Sequence, residues 1–141
     1  MPKESLSTTS SSKVVLFVGS NPSRAGRGVP FVGTRSYATL EGWAKRIGSA
    51  KFYAVNAVDE VTENNRPITV SQMREYSSTL RSKVFAVRPD LIVALGNSAS
   101  KALMVAKLEH IKAAHPSGLN RLLNDKSYVE GLSFVIRKLI E

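Results

Sequence analysis

The sequence contains no cysteine and only 2 histidines and 1 tryptophan. The missing cysteine excludes disulfides, cysteine-ligated zinc and iron–sulphur clusters, and fits a reducing compartment. Acidic residues are scarce as well: 11 Asp and Glu stand against 20 Lys and Arg, a formal net charge of +9. No apolar run approaches the roughly 20 residues that a bilayer span requires, so no membrane partner is expected. Residues 1–12, MPKESLSTTSSS, have no apolar stretch of the kind a secretory signal carries, and a flexible tail is expected there.

What is present is a chain of 141 residues, 43% of them hydrophobic, which suits one domain over residues 13–141. The basic surplus points to a polyanionic partner, most often nucleic acid. Arg24, Arg27 and Arg35 flank the first loop, and Arg66 and Arg121 fall in later ones. Arginines at loop ends can grip phosphates bidentately.

Val14 to Val18 is an unbroken apolar run closed by Gly19. A short valine-rich run of this kind reads as a strand buried on both faces, as in a parallel sheet. Asn21-Pro22-Ser23 then turns the chain into a glycine- and arginine-rich loop that fits neither the P-loop pattern nor G-x-G-x-x-G. Residues 36–47 show one apolar helical face ending at Gly48, a C-terminal cap, and 51–58 form the second strand. Thr69-x-x-Gln72 resembles a capping box; the helix after it carries Val70, Met73, Leu80, Val84 and Val87 and ends before Pro89. Leu91 to Leu95 is the third strand, followed by a helix with Asn97 or Ser98 as its N-cap. Ile111 to Ala114 is a fourth, short strand, and Ser127-x-x-Glu130 opens a last helix as a second capping box. The alternation predicts an α/β fold: three layers, α/β/α, around a four-stranded, mainly parallel sheet. Asn21, Asn56, Gly96 and His115 then converge on the edge formed by the strands' carboxyl ends, where such folds bind ligands.

An asparagine presents one acceptor and two donors to a planar amide-like ligand, a histidine can donate to an oxygen that gains charge, and Phe31 offers a flat ring for stacking. That set suits a nucleobase. Each residue also has an ordinary alternative. Asn56 and His115 could instead be turn residues, Phe31 and Leu119 core, and Gly96-Asn97-Ser98 a plain helix cap. His110 is expected at the surface.

In this order the motifs resemble the uracil-DNA glycosylase superfamily. Gly19-Ser20-Asn21-Pro22-Ser23 is similar to its first motif and His115-Pro116-Ser117-Gly118-Leu119 to its second. Pro30-Phe31-Val32-Gly33, Val55-Asn56-Ala57-Val58, Asn65-Arg66-Pro67 and residues 91–96 resemble its bacterial and archaeal iron–sulphur branch. Without cysteine no cluster is expected, nor any metal or cofactor. By the resemblance, Asn21 holds the attacking water and His115 steadies charge on the leaving base. Phe31 stacks under that base, Asn56 pairs with its edge, and Ser20 and Ser23 complete the pocket. Ser23 stands where the uracil-specific branch uses a tyrosine against the thymine methyl. Leu119 fills the gap left in the duplex, while Arg24, Arg27, Arg66, Arg121, Asn97, Ser98 and Ser117 meet DNA. The implied protein is a monofunctional hydrolase, a monomer of the cytoplasm and nucleoid acting on base-damaged DNA. The alternative is a non-catalytic protein of the same fold that binds DNA or a protein partner, since Ser20-Asn21 carries no carboxylate. A nucleotide-binding domain is a third reading, disfavoured by the +9 charge.

Overall fold

The computed structural model describes residues 13–21, 35–48, 50–60, 62, 66–113 and 126–141. Four strands lie among them: β1 (Val14–Gly19), β2 (Lys51–Asn56), β3 (Leu91–Leu95) and β4 (Ile111–Ala113). The helices are α1 (Arg35–Ile47), α2 (Val70–Glu75), α3 (Ser77–Val87), α4 (Asn97–Val105) and α5 (Lys126–Leu139). The sheet order is β2-β1-β3-β4, and every neighbouring pair is parallel.

The unbroken apolar run of β1 is explained by helices on both faces. Val15 and Phe17 pack with Leu40, Trp43, Ala44 and Ile47 of α1 and Ile136 of α5. Leu16 and Val18, one pleat over, pack with Met73 of α2, Leu80 and Val84 of α3, and Ala99, Ala102 and Leu103 of α4. Alternate side chains of a strand point to opposite faces, so a strand between two helical layers must be apolar throughout. On the α1 side Phe17 stacks on Phe52 at 5.9 Å, 15° from parallel, and meets Trp43 at 6.4 Å, tilted by 59°. Truncating such a buried phenylalanine to alanine typically costs about 3–5 kcal/mol.

The sheet's start and the helix ends are closed locally. The Asp90 carboxylate accepts from the Val14 amide at 2.8 Å, and the Asp90 amide donates to the Val14 carbonyl at 2.8 Å, which aligns the starts of β1 and β3. Gly48 ends α1 at φ +72°, its amide bonded to Ala44 O, as expected of a C-cap glycine. The Arg137 guanidinium donates to the carbonyls of Ile47 (3.2 Å) and Arg46 (2.6 Å), joining α5 to the end of α1.

Five local expectations are corrected. The helix expected from Val70 to Val87 is two helices that meet at Tyr76 (φ −95°, ψ 2°). The Ser77 hydroxyl donates back to Arg74 O at 2.9 Å, a competing bond of the sort that bends helices. The cap of α4 is Gly96, not Asn97 or Ser98, and no side chain caps it. Its φ of 92° suits glycine, and the Asn97 oxygen is already engaged by Lys112 Nζ at 2.9 Å. The last helix begins at Lys126, so Ser127 lies inside its first turn and is not an N-cap. His110 is half-buried rather than at the surface, with Nδ1 2.9 Å from Leu108 O and Nε2 2.8 Å from Ser100 Oγ. Strand β2 stops at Asn56, yet Ala57 and Val58 still donate to Gly19 and Ser20 carbonyls at 2.8 and 2.9 Å.

The order β2-β1-β3-β4 has a switch point between β1 and β3. The connection after β1 leads to one side, and its helix α1 covers one face. The helix after β3, α4, covers the other. A crevice therefore opens beyond the carboxyl ends of β1 and β3, the usual ligand position in open α/β sheets.

Candidate functional site

Ser20 and Asn21 leave β1 at that crevice, both half-buried. Asn21 Nδ2 donates to the Glu60 carbonyl at 2.9 Å and lies 3.4 Å from Thr62 Oγ1. A carbonyl can only accept, so this contact fixes the amide's orientation and turns Oδ1 the other way. Oδ1 accepts from the Ser20 hydroxyl at 3.0 Å and keeps a second lone pair.

Asn56 ends β2 directly beside Gly19 in the ladder. It is 2% exposed, and its Oδ1 has no hydrogen-bond partner among the described residues. An acceptor buried in this way costs roughly 1–3 kcal/mol. Apolar packing cannot satisfy an amide oxygen, which leaves this one open to a donor from outside the described residues. The backbone oxygen of Asn56 accepts from Lys83 Nζ at 2.9 Å, and the same ammonium pairs with Asp59.

Glu60 links Asn21 to the helical layer, as Lys83 links Asn56. Its carboxylate accepts from Gln72 Nε2 at 2.9 Å and from the Tyr76 hydroxyl at 3.0 Å. The hydrogen bond to this carboxylate, followed by desolvation and by the charges of Glu60, Glu75 and Asp59, raises the Tyr76 pKa above its ordinary 10.0. Thr62 Oγ1 donates to Arg66 O at 2.6 Å, and the Arg66 side chain is exposed. At the far side of the crevice Asn97 is exposed, Ser98 half-buried, and Gly96 N donates to Ala113 O at 2.8 Å.

Of the sequence-expected site residues, Ser20, Asn21, Asn56, Arg66, Asn97 and Ser98 thus lie along the carboxyl edge of the sheet. His115, Ser23, Arg24, Arg27, Phe31, Ser117, Leu119 and Arg121 lie outside the described residues. Sequence reasoning missed Glu60, Lys83 and Lys112. Lys83 carried one signal, a cation set beside the apolar positions Leu80, Val84 and Val87. A cavity of about 330 Å³ bounded by Asp90, Glu109 and Leu139 sits at the amino ends of β3 and β4, opposite the crevice. No group of three or more His, Cys, Asp or Glu that could hold a metal ion occurs among the described residues. Nor is any helix there long and apolar enough to cross a membrane.

Helices on both faces of a parallel sheet define a three-layer α/β protein, with Asn21 just past the end of β1 and Asn56 at the end of the neighbouring β2, both on the sheet's carboxyl edge. The model of the uracil DNA glycosylase superfamily matches residues 7–133, and the chain belongs to that superfamily. No curated protein matches the chain.

Proposed function

We propose that this protein is a monofunctional DNA glycosylase that hydrolyses the N-glycosidic bond of uracil, or of a related damaged base, flipped out of DNA. The observation that carries the reading is the buried, unpartnered Asn56 Oδ1 beside the end of β1. Uracil offers a donor at N3 and an acceptor at O4. The orphan oxygen would accept N3–H while Asn56 Nδ2 donates to O4. Cytosine presents an acceptor at N3 and would leave the buried oxygen unsatisfied. A site built around a hydrogen bond rejects analogues that lack it far more strongly than an apolar pocket does.

Cleavage leaves positive charge on the sugar and negative charge on the base. Asn21 is a poor base, so its role is to orient water through the free lone pair of Oδ1. His115 supports charge on O2 of the leaving base, Phe31 stacks beneath the ring, and Ser20 and Ser23 bound the pocket. Leu119 occupies the gap in the duplex. Arg24, Arg27, Arg66 and Arg121, with Asn97, Ser98 and Ser117, hold phosphates and offset a flipping cost of a few kcal/mol. Most of the rate then comes from leaving-group stabilisation.

Single-turnover release from a uracil-containing oligonucleotide, run beside a binding titration, tests this. His115→Ala is expected to slow release by roughly 10²–10³-fold, the scale for losing one oxyanion donor, with little loss of affinity. Wild-type protein that binds DNA tightly but releases no base from any lesion would favour the non-catalytic reading, which the absence of a carboxylate at Ser20-Asn21 supports.

A further inference from the structure

We propose that Lys83 and Glu60, both outside the strand-end motifs, are positioning residues for Asn56 and Asn21, so that helices α2 and α3 set the geometry of the pocket. The proposal rests on the glycosylase reading above. Because Asn56 Oδ1 has no partner among the described residues, the direction of that side chain depends on its backbone. Lys83 reaches from α3 to that backbone, its side chain 18% exposed, and divides its donors between Asn56 O and the Asp59 carboxylate. Pinning this carbonyl fixes the peptide plane that follows the Asn56 Cα.

Glu60 performs the matching task for Asn21. Its side chain is tied to Gln72 in α2 and to Tyr76 at the α2–α3 junction, and its own carbonyl holds Asn21 Nδ2. Residues 57–60 are therefore held from both sides: Ala57 and Val58 by the ends of β1, Asp59 and Glu60 by the helices. Partly exposed ion pairs contribute little to stability, so the consequence lies in geometry. A misplacement of about 1 Å by a group remote from the reaction can cost up to roughly 10²-fold in rate.

The test combines single-turnover uracil release and DNA affinity with the side-chain amide signals of Asn21 and Asn56 in the ¹⁵N-labelled, DNA-free protein. Lys83→Met is expected to slow release by about 10-fold to 10²-fold, keep affinity within about twofold, and shift the Asn56 amide pair but not that of Asn21. Lys83→Arg retains donors and should keep most of the rate. Gln72→Leu combined with Tyr76→Phe should shift the Asn21 pair and slow release. Asp59→Asn, which loosens the ammonium, should reproduce the Asn56 shift should Lys83→Met fail to fold. Wild-type amide signals and rates in these variants would overturn the proposal, as would a loss fully matched by a fall in DNA affinity. Wild-type protein that releases no base removes the glycosylase reading separately; the amide shifts then decide the positioning claim alone.

Discussion

At the scale of single residues, the contrast between the two asparagines is informative. Asn21 is satisfied at both ends of its amide, by Glu60 O and Ser20 Oγ, whereas Asn56 is buried with its oxygen bare among the described residues. Buried acceptors are rarely left bare, and on the proposed reading the flipped base completes this one. Asn56→Asp replaces the donor half of the amide with a second acceptor, which repels uracil O4 and favours the amino group of cytosine. Uracil release should fall and discrimination against cytosine should relax, as read from single-turnover rates on matched oligonucleotides. If Asn56→Ala leaves rate and selectivity at wild-type values, the base is read elsewhere.

Among elements, the α2–α3 pair matters most, and Tyr76 at its junction gives it a pH signature. The Glu60 carboxylate stabilises the neutral phenol, so the folded pKa lies above the unfolded value near 10.0. Below pH 10 both states are protonated and the contribution is complete. As pH rises past 10 the unfolded chain loses its proton first, binds fewer protons than the native state, and stability falls through the raised folded pKa. Urea midpoints measured from pH 8 to about 11 should therefore show a wild-type advantage over Tyr76→Phe that shrinks on the alkaline side. An advantage unchanged across that range would mean that the Tyr76–Glu60 bond does not persist in solution. Thr69-x-x-Gln72 forms the capping box that its spacing predicts, with Gln72 N to Thr69 Oγ1 at 3.1 Å and Thr69 N to Gln72 Oε1 at 2.8 Å. Gln72 Nε2 remains free for Glu60, so one side chain serves both the helix end and the site.

For the whole molecule, the surplus of 20 basic over 11 acidic residues would, on the proposed reading, govern encounter with DNA. Release of counterions from the phosphates makes the logarithm of affinity fall linearly with the logarithm of salt, by about 0.9 per phosphate neutralised. Arg27→Ala and Arg121→Ala should each weaken binding to all sequences alike and reduce that slope by about 1. Titrations from low to moderate salt decide it: affinity that stays level would remove the electrostatic account of DNA binding. The strand order contributes at the same scale, because only the placement of β2 beside β1 brings Asn56 next to Gly19.

The sequence by itself determined the elements and the surface charge. Val14 to Val18 announces a strand covered on both faces, Gly48 a helix end, and alternating strands and helices a layered parallel sheet, because burial and backbone conformation leave local periodic traces. Its ordered motifs also carried the superfamily, and Asn21 and Asn56 were legible as polar residues at strand ends. Where a helix begins or bends was less legible. Gly96 caps α4 at a φ of 92° that suits glycine, and the helix breaks at Tyr76, where the Ser77 hydroxyl bonds back to Arg74 O. The tertiary structure alone decided that Lys83 holds the Asn56 backbone and that Glu60 holds Asn21. These partners are 27 and 39 residues apart, and what brings them together is the path of the crossovers over the sheet, which no local pattern of residues records.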